Sequence, residues 1–497
     1  LVLIDTLRRD ALTCYNNQSD IITPNFDKFA KEATVFNQHW IGSAPCMPAR
    51  RDILTGRMNF LERSWGPIEA FDKTLPDILK EHDVFSHIST DHCHYMRLGG
   101  EGYLQLFNTW DYLRGQEGDP WASSIDDPLN MPLSYYGRVR RQYQLNRQNW
   151  ESDEKKYPSP KTYQSGIDWL EKNGKKDNYF LMVEAFDPHE PFDVPKKYLD
   201  MYPEKQIDRD YFEIPQYGEN DYGNNETDYI RNRYKALLTM TDEYFGKLID
   251  ELKRLNIYED SLIIVTTDHG FFLGEHGYIG KNVMPMYNEL SHLPLIVHFP
   301  KGEMKGEFVD SITQNIDIMP TVLEYNDIDI PKEVKGKSWK SIVDNNYSKN
   351  YALFGYHGLQ MNVTDGRYVY LKAPNKDNKP LYEYTTSLTG IRGYLGQGEE
   401  ENIETGIFLK RSKYPVYRIP VDIPKQIQSE ETKLSLIKES YLFDIKNDYK
   451  QESNLIEDDD LVNKMNKLMY QALKENESPD DQFTRFNLSD CEGKSKG

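Results

Sequence analysis

The chain has 497 residues, enough for two or three domains with substantial cores. A net charge of −20 and a pI near 5.1 exclude a sequence-independent grip on nucleic acid, which needs a basic footprint. No apolar run approaches the ~20 residues that cross a bilayer, and the 13% aromatic content, led by 35 tyrosines, supplies a core despite a mean hydropathy of −0.74.

Residues 1–4 form an apolar strand-like run that ends at Asp5. Because the chain starts inside that run, its N-terminus reads as trimmed. A signal peptide therefore stays open and the compartment unknown, with the cytoplasm slightly favoured. Residues 24–33 read as an amphipathic helix after Thr23, a candidate N-cap. A short helix at 75–80 leads to a strand at 84–89, and a helix at 162–170 leads to a strand at 179–186. Residues 218–225, rich in Gly, Asn and Asp, read as a loop. The longest helix is expected over 227–255. There Tyr234, Leu237, Leu238, Thr241, Phe245, Leu248, Ile249 and Leu252 draw one apolar stripe at three- and four-residue steps. Strands at 262–266 and 293–299 follow.

From about residue 345 the pattern changes to strands at 351–356, 361–371 (turning at Asp365-Gly366) and 381–385. Residues 391–424 resist assignment, 461–474 read as a helix behind an acidic run, and the chain beyond Glu475 reads as a tail. The fold class is α/β: a large mixed, mainly parallel sheet sandwiched by helices over residues 1–345. A smaller α+β domain, with an antiparallel sheet and a terminal helix, is expected over 346–497.

In open parallel sheets reacting groups gather at the carboxyl ends of the strands. The predicted strands end at Asp5-Thr6, at Asp91-His92-Cys93-His94, at Asp187-Pro188-His189-Glu190 and at Asp268-His269-Gly270. Each alone has an ordinary reading as a turn, a cap or a hydrogen-bonded histidine. Together, carboxylates and imidazoles at one sheet edge are what a divalent cation asks for. His92 and His94, two apart, would share a face if the strand continued through them. Cys14, Cys46, Cys93 and Cys491 are too few for a disulfide scaffold and lack zinc-site spacing.

Cys46-Met47-Pro48-Ala49-Arg50 matches the C-x-P-x-R signature of the formylglycine-dependent sulfatases, and Leu54-Thr55-Gly56-Arg57 continues it. Thr23-Pro24-Asn25-Phe26-Asp27 resembles that family's T-P-N-L-D helix start. Asp268-His269-Gly270, followed by Gly274-Glu275-His276-Gly277 and Lys281, resembles its second metal segment. Leu442-Phe443-Asp444-Ile445-Lys446-Asn447-Asp448 resembles its late L-Y-D-L-x-x-D motif. The sequence therefore resembles the sulfatases, within the alkaline-phosphatase-like superfamily, over nearly its whole length.

The resemblance implies hydrolysis of a sulfate monoester by an arylsulfatase-type enzyme. A maturation enzyme, formylglycine-generating or sulfatase-maturing, would oxidise Cys46 to Cα-formylglycine, whose hydrate attacks sulfur and then expels sulfate. By the same resemblance Asp5, Cys46, Asp268 and His269 would hold one divalent ion: Ca²⁺ by family habit, with Mn²⁺ or Zn²⁺ open because one ligand is nitrogen. Arg50 would orient the diol, Lys281 bind a sulfate oxygen, His94 or His92 act as base, and His189 serve the leaving oxygen.

Two positions depart from the family pattern. Thr6 stands where many sulfatases carry a second Asp, and His92 where many carry Lys. Both resemble the phosphonate monoester hydrolase branch, which makes phosphonate monoester and phosphodiester hydrolysis the alternative activity. The rival readings are a structural thiol or activated thiolate at Cys46, a binding protein that kept the fold and lost the chemistry, and an alkaline-phosphatase-like monoesterase. A small aryl or sugar sulfate is the expected substrate, since the negative field opposes a polyanion unless Arg50, Arg51, Arg97 and Arg114 form a basic rim.

Overall fold

Short, near-continuous apolar runs rich in β-branched residues build a sheet buried on both faces. In the computed structural model, which describes residues 1–128, 138–203, 207, 213–282, 284–347, 349–390, 393–395, 400–421 and 438–488, that sheet has eight strands. Their order across it is Phe308–Val309, Thr34–Phe36, Leu295–His298, Ile263–Thr266, Val2–Ile4, Tyr179–Ala185, Phe85–Thr90 and Thr109–Tyr112. All pairings are parallel except those of Leu295–His298, which is antiparallel to both neighbours. The strand at the centre shows how the period of two divides the core. Val2 and Ile4 pack with Ile167, Tyr234 and Phe245 on one face, while Leu3 packs with Met47, Ile53 and Ile318 on the other.

Helices cover both faces, as an α/β fold requires. Pro24–Glu32, Pro158–Asn173 and Asn224–Arg254 lie on the first, and Cys46–Thr55, Leu75–Glu81 and Ile318–Tyr325 on the second. Thr23 does not cap its helix through its side chain. Asp242, on the long helix, does so instead, accepting from Asn25 N at 3.1 Å and Phe26 N at 2.8 Å. A second sheet carries Ala352–Tyr356, Met361–Thr364, Tyr368–Lys372 and Tyr441–Asp444 in antiparallel order, and the short strand Ser43–Ala44 joins its edge beside Gly355 and Tyr356. The Cys46 helix leaves directly from that strand, and all ten of its residues are buried.

Several expected elements differ. The strand expected at 293–299 is two, His292–Leu293 and Leu295–His298, because Pro294 has no N–H for a ladder. The loop expected at 218–225 contributes Gly218–Glu219 as a strand beside Tyr278–Gly280, and its end opens the long helix. Beyond Glu475 the described chain is not a tail. Asp480–Arg485 is helical, and Phe486 and Leu488 are fully buried with Leu353 and Met361 of the second sheet. Within 391–424 the described strands are Gly393–Tyr394, Glu404–Gly406 and Val416–Pro420, and the rest of that stretch, like Cys491, lies partly or wholly outside the described residues. Arg50 and Arg51 are buried and form no rim. Arg51 is bound by Asp72 at 2.7 Å, while Arg97 and Arg114 are paired with Glu117 and Asp119. Among the described residues no helix is long and apolar enough to cross a membrane.

Candidate active site

The central strand delivers Asp5, and its neighbour Ile263–Thr266 delivers Asp268 and His269 from the same edge. The start of the Cys46 helix enters the same space. The result is a buried group in which donor atoms of Asp5, Cys46, Asp268 and His269 all lie within 4.8 Å of one another. Cys46 Sγ is 3.2 Å from His269 Nε2, which is 3.2 Å from Asp268 Oδ2 and 3.8 Å from Asp5 Oδ1. His269 Nδ1 lies 2.9 Å from the Gly270 carbonyl, which fixes the hydrogen there and leaves the Nε2 lone pair facing the group. Gly270 permits that turn: a Cβ there would sit 1.8 Å from the Glu289 carbonyl oxygen.

Arg50, one helical turn after Cys46, is the hub of the charges. Its Nε donates to Glu184 at 2.5 Å, Nη1 to Asp268 at 2.5 Å and to the Cys46 carbonyl at 3.1 Å, and Nη2 to Asp5 at 2.9 Å. Sequence reasoning missed Glu184. Its one signal is a lone carboxylate inside the otherwise apolar strand Tyr179–Ala185, where it also accepts from Thr90 Oγ1 at 2.8 Å and Tyr95 OH at 3.1 Å. Thr6, at the position where many sulfatases carry a second Asp, supplies a donor in place of a carboxylate: its hydroxyl donates to Asp5 Oδ1 at 2.7 Å. It sits at φ 65°, an outlier for a β-branched residue, held by its N–H on Asp268 and by Tyr234 OH on its carbonyl. Asn315, also missed, ties down the Asp268 turn through the Thr267 carbonyl at 3.3 Å.

The histidines divide. The strand Phe85–Thr90 ends before them, and a turn of 3-10 helix begins at Cys93, so His92 and His94 do not share a strand face as expected. His92 Nδ1 approaches Asp5 Oδ2 at 3.9 Å, whereas His94 Nε2 faces Glu117 at 3.3 Å. Cys93, His94 and Glu117 form a second possible metal-binding group, already braced by Arg97 at 3.1 Å from Glu117. His189 packs on Phe186, its Nδ1 2.5 Å from the Glu190 carbonyl. Lys281 is buried 3.8 Å from Asp5 Oδ1, and its Nζ has no hydrogen-bond partner among the described residues.

Burial opposes ionisation of Asp5, yet the Lys281 and Arg50 charges together hold it well below the usual carboxylate range. Burial raises the Cys46 thiol, and Asp5 and Asp268 push it further against the pull of Lys281. It is a protonated thiol, unlike the thiolate that a cysteine nucleophile needs. Burial works against the Lys281 charge as well, but Glu190, Asp5 and Asp268 raise its pKa and keep it cationic. Burial lowers His92, His94 and His189, aided by neighbouring cations, so all three are neutral imidazoles near neutral pH.

The sulfatase family model matches residues 1–328. The chain belongs to the sulfatase family. It is therefore a hydrolase acting on sulfuric esters, and relatives carry that name across most of its length. The arylsulfatase of Clostridium perfringens (strain 13 / Type A) is 23% identical over 398 residues, covering 69% of this sulfatase and 78% of that protein. Solved structures share the α/β fold. One protein, solved in complex with its substrate D-glucosamine-2-N,6-O-disulfate, superposes with a TM-score of 0.65 at 17% identity over 99% of both chains. The phosphonate monoester hydrolase of Agrobacterium radiobacter gives 0.64 at 17% identity, covering 97% of this sulfatase and 95% of that chain.

Proposed function

We propose that this sulfatase cleaves a sulfate monoester, aryl or sugar, through a formylglycine hydrate formed from Cys46. A divalent cation would be held by Asp5, Asp268, His269 and the modified residue 46. The observation that carries this reading is the convergence of those four side chains, from three separate segments, into one buried set. The donors fit the ion: two carboxylates, one imidazole lone pair on Nε2, and a Cys46 Sγ standing where a diol oxygen would be. Ca²⁺ is our preferred ion, with Mn²⁺ and Zn²⁺ compatible through the nitrogen donor. When bound, the ion supplies Lewis acidity toward the ester oxygens, and the hydrate supplies the attacking hydroxyl and a second one for release.

The chain's own groups do the rest. Lys281, charged and with no hydrogen-bond partner for its ammonium among the described residues, binds a sulfate oxygen. Arg50 keeps Asp5, Asp268 and Glu184 from repelling one another and so fixes the geometry of the donors. His92, neutral and beside Asp5, is better placed than His94 to take a proton during release. With Nδ1 committed to the Glu190 carbonyl, His189 turns Nε2 to the leaving oxygen, and donates there when the ring carries its second proton.

The test is peptide mass spectrometry joined to kinetics. Protein matured in a competent host should carry residue 46 about 18 Da lighter than cysteine, the loss expected for thiol-to-aldehyde conversion. Full activity from wholly unmodified thiol, or from Cys46→Ala, ends the proposal. One observation favours a second reading: Thr6 occupies the second-Asp position and donates to Asp5. Phosphonate monoester or phosphodiester hydrolysis at the same site follows if kcat/KM for an aryl phosphodiester exceeds that for the matching aryl sulfate.

A further inference from the structure

The loop that carries His189 also buries a carboxylate that the mechanism above does not use. Glu190 is 5% exposed. Its Oε1 accepts a hydrogen bond from Tyr217 OH. Its Oε2 is buried and has no hydrogen-bond donor among the described residues. His189 Nδ1 comes within 3.2 Å of Oε2, but the Nδ1 hydrogen goes to the Glu190 carbonyl at 2.5 Å. A buried acceptor without a donor is rare in a folded protein and calls for an explanation.

The carboxylate is also held in place. Tyr217 packs edge-on against Phe271 and nests over Gly280, where φ is +105° and a Cβ would lie 2.6 Å from the tyrosine ring. The adjoining strand Gly218–Glu219 pairs with Tyr278–Gly280, the segment that leads straight into Lys281. Glu190 therefore shares a scaffold with the sulfate-binding lysine. The electrostatics point the same way. Burial raises the Glu190 pKa to about 7, the Lys281 charge is the largest influence holding it ionised, and Lys281 in turn responds to Glu190. Tyr217 responds to both Glu190 and Cys46. The carboxylate that bears the free oxygen is therefore fixed between the His189 loop and the strand that leads into Lys281.

We propose that Glu190 selects the leaving group: its Oε2 accepts a hydrogen bond from a hydroxyl or ammonium borne next to the esterified carbon of the substrate alcohol. The inference rests on the sulfate-ester reading and narrows it from aryl or sugar sulfates to those whose alcohol carries such a donor. A phenol offers no neighbouring donor and leaves Oε2 desolvated and unpaired. A sugar or amino sugar fills it. Sites built to bind a substrate hydroxyl discriminate strongly against analogues that lack it, because the site's own polar group is left unsatisfied.

The experiment uses mature, metal-replete full-length protein. Position isomers of glucose and glucosamine monosulfate are assayed beside 4-nitrophenyl sulfate. For the best sugar isomer, analogues deoxygenated at each neighbouring carbon are then compared. The parent should lose about tenfold to hundredfold in kcat/KM on removal of one particular donor. In Glu190→Ala that loss should shrink toward nothing, and the ratio of sugar to aryl kcat/KM should fall by a similar factor. A parent indifferent to every deoxygenation refutes the inference without any variant, and so does turnover of the aryl sulfate with none of the sugars. A variant that loses activity on both substrate classes equally also refutes it, placing Glu190 behind His189 instead. A parent inactive on all sulfate esters overturns the underlying reading itself.

Discussion

Replacing Arg50 with lysine tests whether this site is held together by a guanidinium fork or merely by a positive charge. Arg50 places one nitrogen on each of three carboxylates: Glu184 at 2.5 Å, Asp268 at 2.5 Å and Asp5 at 2.9 Å. All four side chains are buried, at 1% exposure or less. A lysine ammonium keeps the charge but is a single point on a flexible stem, and cannot span three acceptors set around a planar fork. At least one carboxylate is then stranded out of water, and breaking a buried ion pair costs about 3–5 kcal/mol. Unfolding entropy scales as roughly 2.1 cal/mol/K per residue, or about 1 kcal/mol/K for a chain of this length. The expected loss in Tm is therefore about 3–5 °C, larger if the main sheet unfolds apart from the rest. Scanning calorimetry on chelator-treated parent and Arg50→Lys, at one scan rate, reads it directly. A variant melting within about 1 °C of the parent would show that charge alone suffices, and the fork argument would fail.

Three further outcomes follow from other parts of the molecule. Titrating Ca²⁺ or Mn²⁺ into chelated protein should raise stability by about 2.7 kcal/mol at a hundredfold excess over Kd, and Asp268→Asn should abolish the rise in Tm; an equal rise in the variant would place the ion elsewhere. Lys281→Met should lower kcat/KM for a sulfate ester by about 10²–10³, with the metal-dependent rise in Tm retained; a change under about threefold would remove Lys281 from anion binding. His39 lies buried between Thr313 Oγ1 and Asn315 Oδ1, and burial lowers its pKa from 6.5 to about 3. Below pH 6.5 the unfolded chain gains a proton that the fold refuses until about pH 3, so stability falls with acid by about 1.4 kcal/mol per pH unit across that window. Denaturation of His39→Gln at several pH values should show a shallower slope there, and an unchanged slope would assign the acid sensitivity to other groups.

The parts of the site that could be read in the sequence are those fixed by local rules. A parallel strand buried on both faces is a short apolar run, so the polar residues that end it stand out, and Asp5, His92, His189, Asp268 and His269 were found that way. The long helix was equally plain: the stripe expected over 227–255 is observed as Asn224–Arg254. What stayed hidden depends on partners distant in sequence. Arg51 reads as a candidate rim charge, and Arg50 as that or as a residue that orients the diol, because nothing nearby marks Asp72 or Glu184 as their counter-ions. Glu184 reads as a flaw in its strand until Arg50 is brought beside it. The helix Asp480–Arg485 is too short to display a period, and only the second sheet shows what Phe486 and Leu488 pack against. The direction of the Thr6 hydroxyl, as donor rather than ligand, follows from a backbone conformation that no propensity would assign to threonine.

The charges of the site also resolve a tension in the molecule as a whole. A protein of net charge −20 opposes an anionic ester at a distance, although salt confines that field to about 8–10 Å. Inside, Arg50 and Lys281 face Asp5, Glu184 and Asp268, so the carboxylates outnumber the cations by one. A sulfate brought to these residues alone would meet net repulsion in a medium that screens it poorly. A divalent ion among the four donors lifts that net repulsion, which is why metal and anion binding are expected to be coupled here. The same accounting separates the two cations by role. Every nitrogen of the Arg50 guanidinium is committed to a carboxylate, so it can hold the site but has little left for substrate. Lys281, 3.8 Å from its nearest carboxylate oxygen and without a hydrogen-bond partner among the described residues, is the cation with hydrogens to offer. Removing Arg50 should therefore be felt first in stability, and removing Lys281 first in turnover.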